Sequence, residues 1–153
     1  MKTKIFKMKP LNLALLLAGI GMTQASQAAD LVAIEGQWSP DGGTTQIPMW
    51  GFTTDTGQAC GSLPTWTVGP QLDDSDIVGG NLTINLRNCL SEPVSIIIPG
   101  QPATFSPVTE VDGQGRTRIT AFTHEAPDDG GATTTLYTWN GVKSGTYLYQ
   151  SGS

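Results

Sequence analysis

Basic side chains are nearly missing from this chain of 153 residues once its first 28 are set aside. Over Ala29–Ser153 only Arg87, Arg116, Arg118 and Lys143 stand against thirteen acidic residues, a net charge of −9. A surface of that sign repels phosphate backbones and anionic headgroups, which argues against nucleic acid as a partner. Histidine is scarcer still, with His124 the only one. One imidazole without placed partners makes no Ser-His-Asp triad, and no G-x-S-x-G surrounds Ser62, Ser91 or any other serine. A type 1 copper centre wants two imidazoles and a thiolate, more than a single histidine supplies. His124 is therefore read as a surface or strand-end residue. Long apolar runs are absent too: Leu11–Met22 falls short of the about 20 residues that cross a bilayer. No stretch after it has helical periodicity, and there is no internal repeat.

What the first residues do contain is a leader. Lys2, Lys4, Lys7 and Lys9 precede the apolar run, and Ser26-Gln27-Ala28 places small residues at the −3 and −1 positions of a cleavage site. Residues 1–28 are read as a signal peptide of bacterial type and 29–153 as one domain, periplasmic or secreted, with no stable membrane insertion after cleavage. In such a compartment Cys60 and Cys89 are expected to form a disulfide. Thiolate chemistry would call for a neighbouring histidine or a CxxC spacing, and neither is present. The bridge would contribute about 2–4 kcal/mol by restricting the unfolded chain, and its Cα atoms should lie about 4.4–6.8 Å apart.

Beyond Ala29 the pattern is that of strands. Leu82, Ile84 and Leu86 alternate with Thr83, Asn85 and Arg87, the period of a half-buried strand. Further β-branched and aromatic runs are Leu31–Gln37, Gln46–Phe52, Thr65–Val68, Val94–Ile98, Arg116–Phe122, Thr133–Trp139 and Thr146–Tyr149. Gly, Pro, Asp and Asn separate them. This spacing predicts an all-β Greek-key sandwich. Trp38, Trp50, Trp66 and Trp139 are expected as core or interface anchors, with a sugar-binding platform as the rival role for Trp50 or Trp66.

Several short motifs carry little. Asp73-Asp74-Ser75-Asp76 lacks the alternation, central glycine and closing glutamate of a calcium loop and reads as a solvated acidic turn. Asn81-Leu82-Thr83 matches the glycosylation triplet but opens a strand. Asp128-Asp129-Gly130-Gly131 is turn chemistry.

Four segments in order resemble the first cupredoxin domain of the multicopper oxidase family. Val68-Gly69-Pro70-Gln71-Leu72 is similar to a Gly-Pro turn near the start of that domain, and Gly80–Asn88 to the strand that follows. Ser95-Ile96-Ile97-Ile98-Pro99-Gly100 stands where the family has Ser-Ile-His-Trp-His-Gly. Tyr137-Thr138-Trp139 and Gly145–Gly152 resemble the strand pair that ends in Tyr-His-Ser-His. The resemblance spans Val68 to Ser153 and implies a cupredoxin-like fold, oxidoreductase ancestry and copper as the family's cofactor.

In the family two His-x-His pairs supply four ligands to a trinuclear copper cluster shared with a later domain. Here those positions hold Ile97 and Pro99, then Gln150 and Gly152. None offers an imidazole, so no copper or other cofactor is expected in this chain, and no catalytic residue either. The family also continues past the second pair into a last strand and further domains, so the resemblance implies that the sandwich lacks its final strand at Ser153. The expected role is an exported copper-free module, structural or interaction-mediating or else a truncated product of a longer oxidase-like protein, whose partners are other cupredoxin domains or subunits. Two alternatives stay open. One is part of an oxidase acting on phenols or metal ions with O2, its coppers outside this chain. The other is an adhesin or carbohydrate-binding sandwich.

Overall fold

The computed structural model describes residues 28–66, 68–102 and 105–153. The leader read over residues 1–28 lies outside them, apart from Ala28. Among the described residues the order is β1 (Ala29–Trp38), β2 (Ile47–Thr54), β3 (Thr65–Trp66), a single 3-10 turn at Asp74–Asp76, β4 (Ile77–Val78) and β5 (Asn81–Asn88). Then come β6 (Ile96–Ile97), β7 (Val108–Val111), β8 (Thr117–Ala121), β9 (Thr134–Asn140) and β10 (Gln150–Ser151). The protein is all-β with mixed sheets, and none of its described helices is long and apolar enough to cross a membrane.

One six-stranded sheet organises the molecule. β1 pairs antiparallel with β2 along one side and parallel with β5 and β3 on the other, while β5 also pairs antiparallel with β9 and β4. The β4–β5 hairpin turns through Gly79 and Gly80, both at positive φ (61° and 81°), which a two-residue primed turn requires and side chains other than glycine resist. β6–β10 and β7–β8 are separate two-stranded ladders.

Alternation along β5 decides where the core lies. Leu82, Ile84, Leu86 and Asn88 are buried, whereas Thr83, Asn85 and Arg87 are partly exposed, as the sequence pattern requires. The register places Leu31 beside Leu86, Tyr137 beside Ile84 and Trp139 beside Leu82, so β1, β5 and β9 share one apolar face. Leu90, Val94, Ile96, Ile98 and Ala126 close over that face from the second layer. Fully burying each such Leu or Ile contributes about 1.5–3 kcal/mol. Asn88 is the polar exception. Its Nδ2 donates to the Glu92, Ala126 and Pro127 carbonyls while its Oδ1 accepts from Leu90 N, so the buried amide ties the end of β5 to the second layer.

Three expectations change at the level of local structure. Thr146–Tyr149 is not a strand; the ladder begins at Gln150 because the tyrosines are drawn into side-chain contacts, Tyr149 Oη donating to the Pro70 carbonyl at 2.7 Å. Arg116–Phe122 contracts to β8, whose partner β7 was not evident in the sequence. Only Trp139 among the tryptophans is a core residue. Trp50 is 48% exposed on β2, an edge strand, with its Nε1 donating to Glu35.

Candidate functional site

The positions singled out by the resemblance sit on the β6–β10 ladder. Gln150 is the Cα partner of Ile97, and Ser151 that of Ile96. Gly152 N then donates to the Ser95 carbonyl at 3.3 Å, and the Gly152 carbonyl accepts from Phe122 N at 2.9 Å. Gly152 is buried so tightly that a Cβ there would lie 2.7 Å from Ile97 Cγ2 and 2.8 Å from Ser95 Oγ. Ile97, Gln150 and Gly152 are thus brought together, while Pro99 lies exposed beyond the end of β6. The Ile97 side chain packs directly against Gly152. Ser95, fully buried, receives the Ser153 hydroxyl: Ser95 N donates to Ser153 Oγ at 2.8 Å, and the two hydroxyls are 3.1 Å apart. Methyl groups, a pyrrolidine ring, one amide and a glycine do not fit a copper ion.

The remaining candidates are dispersed. His124 is half-buried; its ring stacks on Tyr137 at 4.3 Å and its Nε2 lies 3.0 Å from the Leu136 carbonyl. Burial pushes the Tyr137 phenol well above its ordinary pKa, with Glu125 adding to the shift, and its hydroxyl donates to the His124 carbonyl at 2.6 Å. The acidic turn is satisfied from within: Asp73 accepts from Ser75 N and Oγ, and Asp76 accepts from Asp73 N. Trp66 lies across Gly36 and Gly51, where a Cβ would come within 2.1 and 2.6 Å of its ring, so those glycines make room for it. Glu35 and Gly36 point to opposite faces of β1, and Trp50 goes with the first while Trp66 covers the second. The two rings therefore form no shared platform. A cavity of about 550 Å3 opens between Phe52, Leu72, Leu82, Tyr147 and Tyr149, with Trp66 contributing to its wall. Burial raises the Tyr149 phenol to about 12.

The arrangement least visible in the sequence surrounds the disulfide. Cys60 and Cys89 are bonded, with Cα atoms 5.1 Å apart, as expected. Every N–H donor group of Arg87 is engaged there. Nε and Nη2 grip Asp55 at 2.6 and 2.7 Å, Nη2 also donates to the Gln58 carbonyl at 2.9 Å, and Nη1 lies 3.1 Å from Cys89 Sγ and 3.5 Å from Cys60 Sγ. Asp55 is held below the ordinary carboxylate pKa chiefly by that Arg87 hydrogen bond. Gly131 closes the cluster at φ 78°, and a Cβ there would come within 2.8 Å of Cys60 Sγ. The signal was present: Arg87 and Cys89 are two residues apart, one on the polar face of β5 and the other the first residue beyond it.

What the fold and site define is an all-β protein with a disulfide-stapled mixed sheet. No protein-family model, curated protein or solved structure matches the chain.

Proposed function

We propose that residues 29–153 form an exported, copper-free cupredoxin-like module, a Greek-key sandwich that serves as a structural or interaction domain. The pairing of Ile97 with Gln150 carries this reading. Two segments about fifty residues apart, picked out by their resemblance to paired histidine motifs, are neighbours in one ladder. A chance resemblance would not require them to meet. At that meeting point the donors are gone, and Gly152 is packed against Ile97 rather than opening a cavity. A core enclosed between the large sheet and the β6–β10 layer is what a sandwich needs. The disulfide supports an oxidising compartment, periplasmic or extracellular.

The test is metal analysis of the purified chain after incubation with Cu(II) and desalting, followed by visible spectroscopy and an O2-uptake assay with a phenol. Copper well below one equivalent, no visible band and no turnover are expected. Stoichiometric copper with a visible band, or oxidase turnover, would overturn the reading.

A further inference from the structure

Arg87 aims part of its guanidinium at atoms that gain little from it in the bridged state. Asp55 and the Gln58 carbonyl occupy Nε and Nη2, but Nη1 faces Cys89 Sγ at 3.1 Å and Cys60 Sγ at 3.5 Å. A disulfide sulfur is neutral and a weak acceptor, whereas a thiolate beside an arginine is stabilised and its thiol pKa falls. The contact therefore favours the cleaved state over the bridged one, because only the cleaved state carries the charge that Nη1 can meet. Access is unequal as well: Cys60 is exposed and Cys89, just past the end of β5, is half-buried. The other charged groups nearby are Asp55, committed to Arg87, and Asp129 on the turn that carries Gly130. Asp129 is engaged by Gly131 N, Ala132 N and the Thr133 hydroxyl, and the Gly130 carbonyl abuts Cys60 Sγ at 3.1 Å.

We infer that Cys60–Cys89 is a thiol-exchange site for a low-molecular-weight thiol, with Cys60 as the sulfur attacked and Cys89 as the leaving group held by Arg87. The incoming thiolate forms a bond to Cys60 Sγ. The S–S bond breaks and its electron pair passes to Cys89 Sγ, which leaves as a thiolate against Nη1. A second thiol molecule then displaces Cys60 from the mixed disulfide. The net change is two thiols oxidised to one small disulfide and the protein bridge reduced to two cysteines. Arg87 acts here as a positioning residue for the leaving charge. Reduction also cuts the tether that holds the segment between β2 and β3 against the sheet. This inference does not depend on the copper-free reading.

The experiment treats the oxidised full-length chain, without denaturant, with 2-mercaptoethanol, a neutral monothiol that the acidic surface does not repel. Acid quenching and mass spectrometry of peptides locate the adduct. The mixed disulfide is expected on Cys60 with Cys89 free, and an adduct mainly on Cys89 overturns the assignment. Arg87→Gln should slow bridge cleavage about 3–10-fold, the effect of a leaving thiol one to two pKa units weaker as an acid. A purely structural arginine predicts the opposite, faster cleavage from a loosened loop, and a rate unchanged or raised sinks the inference. Should Arg87→Gln fail to fold, the reduced wild-type chain decides. The Cys89 thiol must titrate below the ordinary value of about 8.5 when its alkylation rate is followed against pH, and a value at or above it refutes the role given to Arg87.

Discussion

Replacing Gly152 by alanine tests the packing at the β6–β10 ladder directly. The added Cβ would lie 2.7 Å from Ile97 Cγ2, 2.8 Å from Ser95 Oγ and 3.7 Å from Ile97 Cβ. Comfortable carbon–carbon contact is about 3.5–4.0 Å, so the first of these overlaps by close to an ångström. Gly152 cannot retreat freely, because its N–H is bound to Ser95 and its carbonyl to Phe122 on the neighbouring segment. The strain must fall on Ile97 or on the ladder, at a cost of about 1–3 kcal/mol. Ile97→Ala removes the offending Cγ2, and for a half-buried isoleucine that truncation alone costs about 1–2 kcal/mol. Combined, the two changes should cost less than their sum by about 1–2 kcal/mol, since the second relieves the first. Urea unfolding of the four proteins, with a constant slope, measures this coupling. A Gly152→Ala variant as stable as the parent, or effects that add to within about 0.5 kcal/mol, would refute the reasoning. The same clash bars an imidazole at 152 unless residue 97 is shortened.

The other expectations are simpler. Cys60→Ser with Cys89→Ser removes a bridge spanning 29 residues, and loop entropy puts the loss at about 3.6 kcal/mol, read by denaturant unfolding of oxidised protein and variant; a loss under about 1 kcal/mol would mean that Asp55–Arg87 alone holds the loop. Asp55 has its folded pKa depressed by Arg87, so its contribution is full above the unfolded value of about 3.9 and is lost as pH falls through the folded one. Asp55→Asn should therefore flatten the acid limb of the stability–pH curve, and an unchanged limb would contradict the ion pair. Tyr149 is pushed up to about 12, above an unfolded value of about 10, so the stability it contributes is present below pH 10 and lost as pH rises through 12. Wild type and Tyr149→Phe should give the same tyrosinate absorbance up to about pH 11, and an earlier divergence would place the phenol in water.

Local patterning was readable from the sequence where one face of a strand is buried. β5 alternates as Leu82-Thr83-Ile84 predicts, and the Cys60–Cys89 pairing followed from compartment chemistry alone. What the sequence concealed depends on distant partners. Trp50 has the composition of a core residue, yet β2 lies at the sheet edge and leaves it beside Glu35 in solvent. Trp66 finds its seat because two glycines on neighbouring strands lack side chains, and one of them, Gly51, sits in an otherwise ordinary β run. The tyrosines of Thr146–Tyr149 look like strand residues until Pro70 claims the Tyr149 hydroxyl. At the candidate site, the residue types at 97, 99, 150 and 152 were legible, but their mutual contact was not, since it depends on how the second layer folds back. Arg87 was assigned only to the polar face of its strand; the sulfur contact depends on the loop that brings Cys60 across.

The parallel pairing of β1 with β5 also sets the tempo of folding. Ala29 meets Ile84 and Ala33 meets Asn88, so the N-terminal half of the first strand stays unpaired on that side until more than fifty further residues have emerged. Closing a ladder over such a distance takes entropy before it returns any contact energy, which places this topology among slow folders, on the scale of milliseconds to seconds. Only the local pairings, β1–β2, β4–β5 and β7–β8, can form early. The central sheet therefore assembles late, and the chain remains open and threadable for as long as β5 is held away from β1.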